Sequence, residues 1–167
     1  MKQVEIIGKF YDNHSLAIIN REIAIKLSDK EKYPDIELAI TPMDQYNSQY
    51  KIKKDSLKIL KELEAKEIEA DIQIRHTYPP MWRWPALNKT KIVYIQPWEY
   101  TKIPFEWQYK FEQFADYLIT PSQWSMNNFL DSGLSPYKAA VVANGYDSSI
   151  FNSSNRTSQQ YSYSNKF

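Results

Sequence analysis

In "KIVYIQPWEY" a short apolar run, 91–95, reads as a strand. Gln96 and Glu99 leave it in a Pro-bearing turn with Trp98 between them. A carboxylate at the C-terminal end of a buried strand, beside an indole, is placed to bind hydroxyl groups, and it serves as a general base if burial raises its pKa. The competing reading is an ordinary ion pair between Glu99 and a nearby Lys or Arg. "RHTYPPMWRWP" is the second such stretch. Arg75 and His76 close the preceding apolar run, and Trp82 and Trp84 offer flat apolar faces with polar edges that suit a sugar ring. The same residues equally suit a Trp-Pro cluster packed over the sheet edge. Gly8, His14 and Ser15 surround the first candidate helix start. Free N–H groups there favour phosphate or carboxylate, and His14 either touches a ligand or caps the turn. A lone glycine is not a G-x-G-x-x-G fingerprint, so a tight strand-to-helix turn stands as the alternative.

Other chemistries are excluded by what the chain lacks. Without cysteine there is no disulfide framework, Cys-ligated zinc or thiol nucleophile, which is compatible with a cytosolic protein. No H-E-x-x-H, phosphate-binding loop or EF-hand occurs, and "GLSPY" is not a nucleophile elbow. The two histidines are separated by most of a sheet, so no metal site is expected. A net charge of +1 gives no electrostatic case for nucleic acid. No stretch approaches the roughly 18–20 apolar residues of a membrane span, and the apolar run in "MKQVEIIGKFYDNH" is too short for a signal peptide. Lys51, Lys53, Lys54, Lys58 and Lys61 suggest membrane-surface contact, but Glu62, Glu64, Glu67 and Glu69 follow closely, the mark of a solvated helix face.

The elements that must position these residues follow from periodicity. Strands are predicted over 3–7, 35–40, 71–75, 91–95, 116–120 and 138–143. A helix starts at Ser15 as N-cap, with Leu16, Ile19, Ile23 and Leu27 at helical spacing; a second carries Leu57, Leu60 and Leu63. "FEWQYKFEQF" is a helix that buries Trp107, Phe111 and Phe114, and a fourth runs from N-cap Ser122 to Gly133. Strands apolar on both faces, alternating with helices or long loops, predict a doubly wound, mostly parallel Rossmann-like α/β sheet of six or seven strands with helices on both faces. Ligands bind such a sheet outside the carboxyl ends of its strands. The loops there hold both histidines and four of the five tryptophans.

The closing section, "FADYLITPSQWSMNNFLDSGLSPYKAAVVANGYDSSIF", is similar to the end of the N-terminal half of GT-B glycosyltransferases of family 4 (group 1). It holds that family's Asp116, Pro121, Ser122, Gly133, Asn144, Gly145, Asp147 and Phe151 at matching places, and "RHTYPP" and "IVYIQPWEY" resemble a bacterial subgroup. The resemblance covers residues 4–151. It implies a metal-independent, usually retaining transferase with no cofactor, in which the nucleotide-sugar is a co-substrate. Residues 1–151 would be the acceptor-binding domain, 152–167 a polar interdomain linker, and the donor-binding domain, with its E-x7-E motif, would lie beyond this chain.

On that basis Glu99 and His76 are expected to be catalytic. His14, Arg75, Trp82, Trp84, Gln96, Trp98 and Ser122 would bind the acceptor, Gly8 and Ser15 would face the donor phosphates, and Asn144, Gly145 and Asp147 would form the domain exit. The implied partners are a sugar, glycan or lipid-linked acceptor and the chain's own donor domain, in the cytoplasm or at the inner face of the membrane. The chain alone is expected to be inactive. Two features depart from the family: Gln96 stands where many members carry a histidine, and the first loop is glycine-poor. The alternative is a non-enzymatic α/β module that binds sugar or protein.

Overall fold

The computed structural model describes residues 1–149 and residue 152. The chain runs β1 (Lys2–Gly8), α1 (Ser15–Leu27), β2 (Ile36–Pro42), α2 (Lys54–Glu64), β3 (Ile72–His76), β4 (Lys91–Ile95), α3 (Phe105–Phe114), β5 (Tyr117–Thr120), α4 (Gln123–Asp131) and β6 (Ala139–Val141). A 3-10 turn at Pro136–Lys138 leads into β6. All six strands are parallel, in the order β2-β1-β3-β4-β5-β6. This is the open, Rossmann-like α/β sheet that the periodicity predicts. The expected linker and Phe151 lie outside the described residues, apart from Asn152.

Strand alternation sorts the apolar residues onto two faces. Val4, Ile6, Leu38, Ile40, Ile72 and Ile74 are in register on one face and pack with Ala24 of α1 and Leu60 and Leu63 of α2. Ile92, Tyr94 and Leu118 lie on the other, under Phe111 of α3, Ala115 just past its end and Phe129 of α4. Helices therefore cover both faces, as a buried parallel sheet requires.

Two details of α1 differ from expectation. The N-cap is His14, whose extended backbone lets Nδ1 accept the Ala17 N–H at 3.3 Å; Ser15 is the first helical residue. The fully buried seam is Ala17, Asn20 and Ala24, while Leu16, Ile19, Ile23 and Leu27 are only half-buried beside it. Small side chains occupy the line of closest approach to the sheet, and the larger ones flank it. In α3, Phe111 is buried as expected and Trp107 and Phe114 partly so. In α4, Ser122 is the N-cap, accepting the Ser125 N–H at 3.2 Å, and Gly133 follows its end at φ +98°.

The same close approach explains Gly8. A Cβ at that position would lie 2.4 Å from Asn20 Nδ2 and 2.6 Å from the His76 carbonyl oxygen, and the latter is backbone that cannot step aside. Gly8→Ala is therefore expected to cost about 2 kcal/mol or more by overpacking, read as a lower urea midpoint; an unchanged midpoint would contradict this packing.

Candidate functional site at the carboxyl edge

A cleft of about 520 Å³ opens at the carboxyl edge of the sheet. Its wall is built from Ser15, Leu16 and Ile19 of α1, the Pro97-Trp98-Glu99 turn after β4, Pro121, Ser122, Trp124 and Ser125 at the start of α4, and Asn144 after β6. The turn after β4 is tied down on two sides. Gln96 N–H donates to the Ile119 carbonyl at 2.9 Å, and Trp98 N–H donates to Ser125 Oγ at 3.0 Å. Trp98 is a buried part of that wall, edge-on to Trp107 at 5.3 Å and to Tyr100 at 5.4 Å. Its indole Nε1–H is, among the described residues, the one buried side-chain polar atom without a hydrogen-bond partner. Glu99 is exposed and forms no ion pair among the described residues, so the simple ion-pair reading does not hold there. Trp124 is 49% exposed on the first turn of α4. Among the described residues, no Lys, Arg or His lines the cleft.

Of the expected site residues, the cleft collects Ser15, Trp98, Glu99, Ser122 and Asn144. It also adds Trp124, which lies just after the fifth strand as Trp98 lies just after the fourth. Gln96 is buried beneath the turn, its amide donating to the Pro97 carbonyl at 3.1 Å. Gly145 and Asp147 are exposed and outside the wall; Asp147 Oδ1 accepts from the Ser149 N–H at 2.9 Å.

The loop after β1 corrects the phosphate reading of Gly8. The N–H groups of Phe10, Tyr11 and Asp12 all point at the Asp44 carboxylate, at 2.8, 2.9 and 2.8 Å. Arg21 donates to the Phe10 and Asp12 carbonyls at 2.8 and 2.6 Å. The backbone anion cradle is thus filled from within the chain, and Gly8 is covered by Asn20 and His76. His14 stands on the same loop, outside the cleft wall, with its Nε2 3.7 Å from the Asp12 carboxylate.

Three acceptor-binding assignments are also corrected. Arg75 is fully buried and spends its donors internally. Nε and Nη2 reach Gln73 Oε1, and Nη1 reaches the Met81 and Arg83 carbonyls at 3.1 and 2.6 Å and Tyr94 OH at 3.1 Å. Trp82 is packed among Phe111 at 4.8 Å, Tyr94 at 5.5 Å and Phe114 at 6.2 Å. Trp84 is exposed but lies beside Lys91 and Ile92, at the opposite end of β4.

His76 is 2% exposed and does not line the cleft, so it meets no acceptor there. Asn20 Nδ2 donates to the Lys9 and His76 carbonyls at 3.0 and 3.2 Å, which leaves Asn20 Oδ1 to accept from His76 Nδ1 at 2.7 Å. His76 is therefore the neutral Nδ1–H tautomer. Burial, with a smaller contribution from His14, pushes its pKa down to about 4. Because the folded value lies below the unfolded one, the unfolded chain binds the extra proton and stability is lost as pH falls from about 6.5 to about 4. The expected loss is roughly 3 kcal/mol, measured by urea unfolding across that window. His76→Gln should flatten that segment; parallel pH profiles for the two proteins would contradict the assignment.

Among the described residues no group of three His, Cys, Asp or Glu side chains is placed to hold a metal ion, and no helix is long and apolar enough to cross a membrane. No protein-family model matches the chain, and no curated protein matches it in sequence. Among solved structures, its fold is similar to Anabaena Alr3699/HepE in complex with UDP and glucose, with a TM-score of 0.49 and 13% identity over 90% of this chain and 46% of that one. The same protein in complex with UDP gives a TM-score of 0.45 and 15% identity over the same shares. The chain spans less than half the length of these neighbours.

Proposed function

We propose that this chain is the acceptor-binding half of a family 4 type GT-B glycosyltransferase. It would transfer a sugar from a nucleotide-sugar donor to a hydroxyl group of a glycan, lipid-linked or small-molecule acceptor. The observation that carries the reading is the make-up of the carboxyl-edge cleft. One exposed carboxylate, Glu99, stands with a half-exposed indole, Trp124, the hydroxyls of Ser15 and Ser122, and the Asn144 amide. An apolar face rimmed by hydroxyls, an amide and one carboxylate suits a sugar, whereas a nucleotide diphosphate calls for cations, and among the described residues the cleft wall has none.

In this reading the acceptor ring lies on Trp124. Glu99 is exposed rather than buried, so it acts through its position: it accepts the hydrogen bond of the attacking hydroxyl and takes its proton as that oxygen bonds to the anomeric carbon and the nucleotide leaves. The start of α1 at Ser15 presents the positive end of a helix dipole toward donor phosphates carried by a separate domain. The chain alone would bind acceptor without turning over. His76 acts by holding the carboxyl edge together, not by touching substrate. The setting is cytoplasmic, at the inner membrane face where the acceptor is lipid-linked.

The test is a scan of nucleotide-sugars with the product of the gene's full open reading frame. Glu99→Gln is expected to lower kcat/KM by roughly 100-fold or more, and Trp124→Ala to raise the acceptor KM by about tenfold with donor KM unchanged. Equal turnover by Glu99→Gln would sink the assignment of Glu99. Sugar binding in the cleft with no transfer from any donor would leave a binding module.

A further inference from the structure

A second hollow lies at the amino end of β4 and carries its own exposed indole. It encloses about 320 Å³ and is lined by Trp84, Pro85, Asn88, Thr90, Lys91 and Asp116, with Ile92 beneath. Trp84 is 61% exposed, which is unusual for so large an apolar ring. Phe114 packs beside it, with ring centroids 4.6 Å and planes 35° apart, and the ring lines the hollow. The backbone leading into Trp84 is held by the buried guanidinium of Arg75, which donates to the Met81 and Arg83 carbonyls, and Pro85 follows it.

The rim is polar and electrically balanced. Lys91 Nζ donates to Asp116 Oδ1 at 2.8 Å, while Asp116 Oδ2 accepts the Ile92 N–H at 2.9 Å. The ammonium keeps two further N–H donors, and the exposed Asn88 amide supplies both a donor and an acceptor. A rigid aromatic face, a neutralised charge pair and an amide are the groups that recognise a neutral ring bearing adjacent hydroxyls. An anion or a cation would find no net opposite charge there.

We infer that this hollow is a second carbohydrate-binding site that takes one neutral sugar ring of an oligosaccharide on Trp84. It is separate from the carboxyl-edge cleft: the five residues of β4 place the two about 17 Å apart along the strand. It stands whether or not that cleft supports transfer, since it uses none of the same residues.

The test is a titration of the isotope-labelled 167-residue chain with cellotetraose and with maltotetraose, followed by NMR of the indole N–H and backbone amide signals. The Trp84 indole and the Asn88, Lys91 and Ile92 amides are expected to shift with a millimolar dissociation constant for at least one of the two. Trp84→Ala should weaken the amide response at least tenfold, and Asn88→Ala should weaken it several-fold, while Trp84→Phe retains part of it. Signals of Trp124 and Glu99 should respond equally in all three variants, which separates failure here from failure of the carboxyl-edge site. If neither tetrasaccharide at tens of millimolar moves these signals, or if Trp84→Ala leaves the amide response intact, the inference is overturned.

Discussion

The carboxyl edge depends on one buried amide. Asn20 donates to the carbonyls of Lys9 and His76 and accepts from the His76 ring, so a single side chain on α1 fastens the ends of β1 and β3 together. Its closeness is what makes Gly8 necessary, and its acceptor oxygen is what fixes the His76 tautomer. Losing the amide would leave several buried polar groups unpaired, each costing about 1–3 kcal/mol. Because α1 is anchored there, its first two turns, at Ser15, Leu16 and Ile19, stand as one wall of the cleft.

The other sheet face is organised by a polar ladder. Thr41 donates to Glu5, Gln73 donates to Glu5, and Arg75 donates to Gln73 and to Tyr94, so the chain of bonds crosses β2, β1, β3 and β4 in turn. The ladder ends on the carbonyls that Arg75 and Tyr94 hold in the Trp-Pro loop. Through Trp82 and Trp107 that loop packs against Trp98, the buried wall of the cleft. The two faces thus support one edge by different means: an amide knot under α1, and a buried guanidinium under the loop.

Most of the scaffold is legible from periodicity and caps, because those signals are local. The run at 91–95, the helix at 105–114 and the Ser122 cap are found where alternation and side-chain chemistry place them. Glu99, Ser122 and Asn144 reach the cleft because residues just after parallel strands must lie at the carboxyl edge. Trp84 obeys the same geometry from the other side. A connection between parallel strands has to travel back to the amino end of the sheet, so only the first residues of loop 77–90 stay at the edge that His76 leaves. The pairings that redirect Gly8, Arg75 and His76 were not legible in this way. Asp44 meets the β1 loop from 32–34 residues away, and Asn20 meets His76 across 56. No local pattern announces a carboxylate that will fill a backbone anion cradle, or an arginine that will be buried without a carboxylate beside it.

In the proposed function the carboxyl-edge cleft receives the acceptor. The most direct measurement is a crystal structure of the complete gene product with nucleotide and acceptor bound. The expected result is an acceptor hydroxyl within about 2.6–3.2 Å of the Glu99 carboxylate, a sugar ring over Trp124, and the nucleotide phosphates outside the wall, toward the start of α1. A nucleotide seated against Glu99 and Trp124, or an acceptor bound wholly away from them, would contradict it.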